Sequence, residues 1–246
     1  KGNSMSTRSI SLAGLLAVAV VGPAWAQISI DLSRFAQWAG TTRAMTAYEA
    51  LSPAALQGVA QAAGGGQTYD FTAAAFKVGY WATEEFLSSP AGTPGASNAH
   101  LAQANLVVRT TMSKTGAPTE ADADSSSWSY HLLQDDGFSQ LGAVMPVDMN
   151  EDGTLELWTV GYAPALLTVK LPLTFGAAWT QVATAQSPFY NQQTTNTFQV
   201  DGWGTLLTPS GSAPCLRLRH VDERTVPFVG GVTQTTSLSF LTLGNL

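Results

Sequence analysis

Past Gly64 the sequence is cut into short β-prone runs by clusters of Gly, Pro, Asn and Asp, and this punctuation limits the fold more than any other feature. The runs are Ala75–Trp81, Ala104–Met112, Ser127–Leu133, Thr154–Val160, Ala165–Leu171, Thr195–Val200, Cys215–Val221 and Thr235–Leu243, all rich in Val, Thr, Leu and aromatic residues. No helical stretch of crossover length separates one run from the next. A parallel α/β sheet is therefore excluded, and an all-β, antiparallel β-sandwich of jelly-roll size is expected. Helical composition is confined to Arg43–Ala63, rich in Ala, Leu and Gln. There Ser52 and Pro53 make a cap and first residue for a short N-terminal helix Pro53–Ala62, ended by Gly64-Gly65-Gly66. Two polar loops, Ser88–Ala99 and Lys114–Ser127, interrupt the strands, but neither is followed by a new composition. Residues 27–246 read as a single domain.

Charged residues make up only 11% of the chain while 45% is hydrophobic, which excludes a disordered chain. Eleven Lys and Arg face 17 Asp and Glu for a net charge of −6, so a nucleic-acid partner held by phosphate neutralisation is excluded. Residues 1–26 read as upstream residues and a signal peptide starting at Met5: Arg8, the apolar stretch Ile10–Gly22, then Ala24-Trp25-Ala26 at the cleavage position. The stretch falls short of the roughly 20 apolar residues of a membrane span. The mature chain is thus expected to be secreted or at the cell surface, or periplasmic without a further step, with no transmembrane segment. The single cysteine, Cys215, forms no internal disulfide; with Arg217 and Arg219 it alternates with Leu216 and Leu218, and a buried or half-buried strand thiol is expected.

The most informative local pattern is Pro146-Val-Asp-Met-Asn-Glu-Asp-Gly-Thr-Leu-Glu-Leu-Trp158. Asp148, Asn150 and Asp152, the Thr154 carbonyl and Glu156 have the spacing of a Ca²⁺ loop, whose metal needs hard oxygen ligands from alternate residues. Thr159 stands where an EF-hand has its bidentate Glu. The same residues also make a good β-turn, with Gly153 in the left-handed position. Other chemistry is weakly served. Thr208-Pro-Ser-Gly-Ser212 is no nucleophile elbow, and Ser210 suits a turn. His100, His131 and His220 lack zinc spacing. The carboxylate pairs Glu84/Glu85, Asp135/Asp136 and Asp222/Glu223 are adjacent in sequence, so on a strand they point to opposite faces. Among the tryptophans, Trp81, Trp128 and Trp158 lie in strand-like runs and are expected inside. Trp203, between Gly202 and Gly204, is expected to be the exposed one, able to stack on a ligand.

Three further segments occur in order: Gly66-Gln-Thr-Tyr-Asp-Phe-Thr72, Lys170-Leu-Pro-Leu-Thr-Phe-Gly-Ala-Ala-Trp179, and Val200-Asp-Gly-Trp-Gly-Thr-Leu-Leu-Thr-Pro-Ser-Gly211 with Leu216-Arg-Leu-Arg219. Together they resemble a group of secreted Bacteroidetes β-sandwich proteins, cargo of the type IX secretion route. The resemblance implies export, a β-strand fold and a C-terminal sorting domain, and it implies no assigned activity; of these, the sorting domain is not recognisable up to Leu246. The Val200–Arg219 stretch is expected to run strand, Gly-rich turn, strand. The function expected is a non-catalytic module that binds a glycan or a surface protein, stiffened by Ca²⁺. The alternatives are a carbohydrate-active or other secreted hydrolase, and a self-associating structural surface protein with an open edge strand.

Overall fold

The computed structural model describes residues 9–10, 28–50, 54, 57–58, 62–72, 76–113, 118, 126–148, 151–188, 191–209, 211–225 and 232–242. The expected leader, residues 1–26, lies outside them apart from Ser9–Ile10. The protein is all-β. Its strands are β1 (Ser9–Ile10), β2 (Ser29–Ile30), β3 (Thr42–Ala50), β4 (Gly64–Asp70), β5 (Phe76–Leu87), β6 (Leu106–Ser113) and β7 (Ser127–Gln134). They continue as β8 (Gly137–Val147), β9 (Glu156–Lys170), β10 (Leu173–Thr174), β11 (Ala178–Gln186), β12 (Asn191–Thr208), β13 (Gly211–Thr225) and β14 (Val232–Thr242). A single helical turn, α1 (Leu32–Ala36), is capped by the Asp31 carboxylate, which accepts from the Ser33 amide. Within the expected helix Pro53–Ala62, Ala54, Gln57 and Gly58 are helical and Ala62 is not, and the other positions lie outside the described residues. Among the described residues no helix is long and apolar enough to cross a membrane.

One twelve-stranded sheet runs in the order β1-β14-β13-β12-β11-β9-β8-β7-β6-β5-β3, with β4 added to β12 and a small β2–β10 pair beside it. From β5 onward each long strand lies beside its sequence neighbour, so the sandwich is an antiparallel meander. Two sequence expectations are corrected by these pairings. The start of the Ala-rich stretch taken as helical, Thr42–Ala50, is strand β3, because it pairs along its length with β5. The Asp201-Gly-Trp-Gly204 turn is instead the interior of β12, and the connection to β13 comes at residues 209–210, where Thr208 pairs with Gly211.

The sheet folds over on itself at β9. Residues 161–163 pair with β11, but beyond Pro164, which has no N–H to donate, the ladder between them stops. Side chains replace it. Gln181 accepts from the Leu167 amide at 2.7 Å and donates to the Ala165 carbonyl at 2.8 Å, and Trp179 Nε1 donates to the Leu167 carbonyl at 2.9 Å. On the other side of the kink β8 and β9 part between Gln140 and Gly142. There the His100 Nε2–H bridges the carbonyls of Leu141 and Tyr162, at 3.1 and 3.0 Å.

The fold-over encloses the main core. Phe86 of β5 and Leu106 and Val108 of β6 share one cluster with Phe198, Leu216, Leu218 and Leu241 of β12–β14. These strands are not neighbours in the sheet, so they meet face to face as two leaves. Phe35 and Trp38, on and just after α1, plug one end: Phe35 stacks on Phe138 at 5.5 Å and Trp38 tilts on Phe86 at 5.3 Å. The Arg43 guanidinium lies over Trp38 at 4.4 Å. A second cluster, Tyr69, Phe71, Leu206, Cys215, Leu238 and Phe240, covers the opposite face of β12–β14. A third forms under the loop at residues 88–105, pinned by Tyr130, whose hydroxyl donates to Thr93 and accepts from the Gly95 amide.

Candidate functional site

Strand β12 changes faces once. Val200 pairs with Leu218 but Gly202 pairs with Arg217, so Asp201 is an extra, bulged residue. Before the bulge, Thr194, Asn196, Phe198 and Val200 look between the leaves; after it, Leu206 looks into the second cluster. The bulge also aims the Asp201 carboxylate at Arg217, which is fully buried. Its Nε and Nη2 donate to the two carboxylate oxygens at 2.8 and 2.9 Å. Gly204 serves close approach: a Cβ there would stand 1.9 Å from the Gln67 carbonyl oxygen of β4.

Past the end opposite α1, the leaves do not meet. A cavity of about 670 Å³ opens on the main core, with Phe198, Leu218, Leu241 and Leu166 at its floor. Its two walls differ in chemistry because they come from different strands. Strands β8 and β9 supply Met145, Val147, Trp158, Val160 and Tyr162. Strands β12–β14 supply Thr194, Asn196, His220, Asp222, Ser237 and Ser239. The polar wall follows from period 2: Thr194 and Asn196 continue the face of Phe198, and His220 and Asp222 continue that of Leu218.

Register joins these side chains into a chain of hydrogen bonds. His220 lies opposite Phe198 on one side and Ser237 on the other, with its ring stacked on Phe198 at 4.2 Å. Thr194 Oγ1 donates to the Ala183 carbonyl at 3.4 Å, and Asn196 Nδ2 donates to Thr194 Oγ1 at 2.8 Å. His220 Nε2 meets Asn196 Oδ1 at 2.9 Å, and His220 Nδ1 meets Ser237 Oγ at 3.4 Å. A carbonyl only accepts, so the Ala183 end assigns the direction of every bond: His220 carries its proton on Nε2, and Ser237 donates to Nδ1. Burial holds the His220 imidazole below its usual pKa, with Asp222 pulling it up and Arg224 pushing it down. Asp222 binds Arg224 through Oδ2, while its Oδ1 is buried and has no hydrogen-bond partner.

The positions singled out from sequence are not brought to this cavity, except Trp158, His220 and Asp222. Asp148 ends the β8 connection, and its two carboxylate oxygens accept from the amides of Asp152 and Gly153 at 3.1 and 2.9 Å. Asp152 accepts from the Thr154 amide at 2.8 Å, Glu151 takes a φ of 57°, and Glu156 opens β9, exposed. These bonds shape a turn; Asn150 lies outside the described residues. Trp203 is half-buried rather than exposed, packed beside the main core with its indole against Gly65. Glu84 and Glu85 face different arginines, Arg43 and Arg109, on opposite faces of β5. Burial raises the Glu84 pKa, and Arg43 lowers it. Cys215 is buried, and burial pushes its thiol up to about 12 against an opposing backbone hydrogen bond at Gly204. His100 bonds the Leu141 and Tyr162 carbonyls, His131 stacks on Phe138 and His220 on Phe198, and among the described residues no three His, Cys, Asp or Glu gather as a metal site. Asn196 and Ser237 were not anticipated. The signal that could have found them is a polar residue every second position along an otherwise apolar strand face. Comparison with protein-family models, with curated proteins and with solved structures finds no match.

Proposed function

We propose that this protein is an exported, non-catalytic binding module that holds a glycan in the cavity between its leaves. The observation that carries the reading is the contrast between the two walls: β8–β9 is mainly aromatic and aliphatic, its Gln140 and Thr168 being bonded to backbone carbonyls, whereas β12–β14 is hydrogen-bonding. A sugar ring has the same two-sidedness: its C–H face stacks on an aromatic side chain while its hydroxyls need polar partners. The volume, about 670 Å³, is within the ordinary range for small-ligand sites. Asp222 is the one carboxylate among the described residues of the lining, and it is tied to Arg224, whereas a glycosidase needs two. Export rests on the sequence of residues 5–26. The test is titration of the protein's tryptophan fluorescence with neutral mono- and oligosaccharides, beside Trp158→Ala. Saturable binding lost in the variant supports the reading; no binding at millimolar sugar rejects it.

A hydrolase is favoured by one observation, the Ser237–His220–Asn196 line in the cavity wall. Turnover of a chromogenic ester that disappears in Ser237→Ala would establish it. Calcium is a further reading for the turn after β8, resting on the sequence spacing of Asp148, Asp152 and Glu156, whose carboxylates are not gathered as a metal site among the described residues. A Ca²⁺-dependent rise in Tm that Asp152→Ala removes supports that role, and equal Tm with Ca²⁺ and with chelator rejects it.

A further inference from the structure

We infer that the polar wall of this cavity is a hydrogen-bond-accepting surface at Ser237 and Asp222, which selects an uncharged ligand by the hydroxyl protons it donates. The inference rests on the glycan reading above and deepens it.

Two independent observations converge. The first is the direction of the chain from Ser237 through His220, Asn196 and Thr194 to the Ala183 carbonyl. Each proton that makes a bond in this chain is given to the next member along it, so the single Ser237 proton is spent on His220. What Ser237 offers a ligand is oxygen lone pairs. The second is Asp222, whose side chain is 9% exposed and whose Oδ1 has no donor. A buried carboxylate oxygen without a donor is costly, and a ligand hydroxyl brought to Asp222 on the cavity face of β13 and β14 removes that cost. The two residues lie on the same face of adjacent strands, Ser237 opposite His220 and Asp222 one pair further along.

Charge narrows the class. Among the described residues of the lining the charged side chains are Asp222 and Arg224, which pair, and burial lowers the His220 pKa and so resists its protonation. A cationic ligand meets Arg224 beside the only acid, and an anionic one meets Asp222 and the lone pairs of Ser237. A polyol meets neither penalty.

The experiment uses the full protein and the best-binding neutral monosaccharide of the titration above. Each hydroxyl of that sugar is replaced in turn by fluorine, which accepts weakly but donates nothing, and the amino-sugar and uronic-acid counterparts are measured beside them. At least one fluorinated sugar and both charged counterparts are expected to bind about tenfold more weakly. Asp222→Asn and Ser237→Ala, checked by circular dichroism, are expected to erase the penalty at the sensitive position. Full affinity for every fluorinated sugar, or for the uronic acid, overturns the inference while the glycan reading stands. Absence of binding by every neutral sugar overturns both.

Discussion

His131 offers the sharpest quantitative test of the structure. It lies on β7 under the α1 plug, 7% exposed, with its ring stacked on Phe138 at 4.4 Å. Its Nε2 bonds Ser129 Oγ at 2.8 Å, and its Nδ1 is buried with no partner. Adding a proton at Nδ1 would place an N–H and a charge where nothing accepts either, so burial lowers the pKa from 6.5 to about 3. The folded-state value is depressed, so between these two pH values the unfolded chain binds the proton and the folded chain does not. Stability is therefore full above pH 6.5 and is lost as pH falls toward 3. The slope is about 1.4 kcal/mol per pH unit, so a drop from neutral to about pH 4.5 should cost roughly 2.7 kcal/mol through this residue. His131→Gln keeps a donor for Ser129 but does not titrate. Urea unfolding of both proteins at the two pH values isolates the effect, since His220 and the carboxylates contribute equally to each. The wild type should lose roughly 2–3 kcal/mol more than the variant on acidification. Equal losses would refute the reasoning, whatever the absolute stabilities.

Other expectations follow from single contacts. Asp201→Asn leaves the buried Arg217 guanidinium without its counter-charge, and should lower the free energy of urea unfolding by about 3–5 kcal/mol; a loss within experimental error would show that the pair is not structural. Gly204→Ala drives a methyl into the Gln67 carbonyl, so about 3 kcal/mol should be lost and amides of β4 should exchange faster with deuterium. Cys215 should resist a thiol reagent in the folded protein and react at once in denaturant; fast native-state labelling would mean that the second cluster opens readily.

How much of this was legible in the sequence depends on the element. Ser127–Leu133 and Cys215–Val221 announced themselves, because each is a short run carrying aromatic or aliphatic residues next to turn formers such as Gly, Asp or Pro. That Cys215 is buried was readable from its place in such a run. Thr42–Ala50 was not, since Ala and Met carry helical preference and only the ladder to β5 overrules it. Strands β8 and β11 passed unnoticed: Gly142 and Pro146 in one, and the Ala, Thr and Gln of the other, carry little β signal without their partners. The two runs Thr154–Val160 and Ala165–Leu171 looked separate but are one strand, β9, bent where Pro164 lacks an N–H.

The site divides along the same line. From the chain alone come the all-β class, and the fact that Thr194, Asn196 and Phe198 share one strand face, as do Leu218, His220 and Asp222, because the period of two is a property of the backbone. What the chain could not tell is which of those faces turns inward, that a bulge at Asp201 reverses β12 beyond it, or that Ser237 stands opposite His220. Register and curl are settled by contacts between residues far apart in sequence, and a shift of one residue in a ladder would send the whole polar wall to the other side of the sheet.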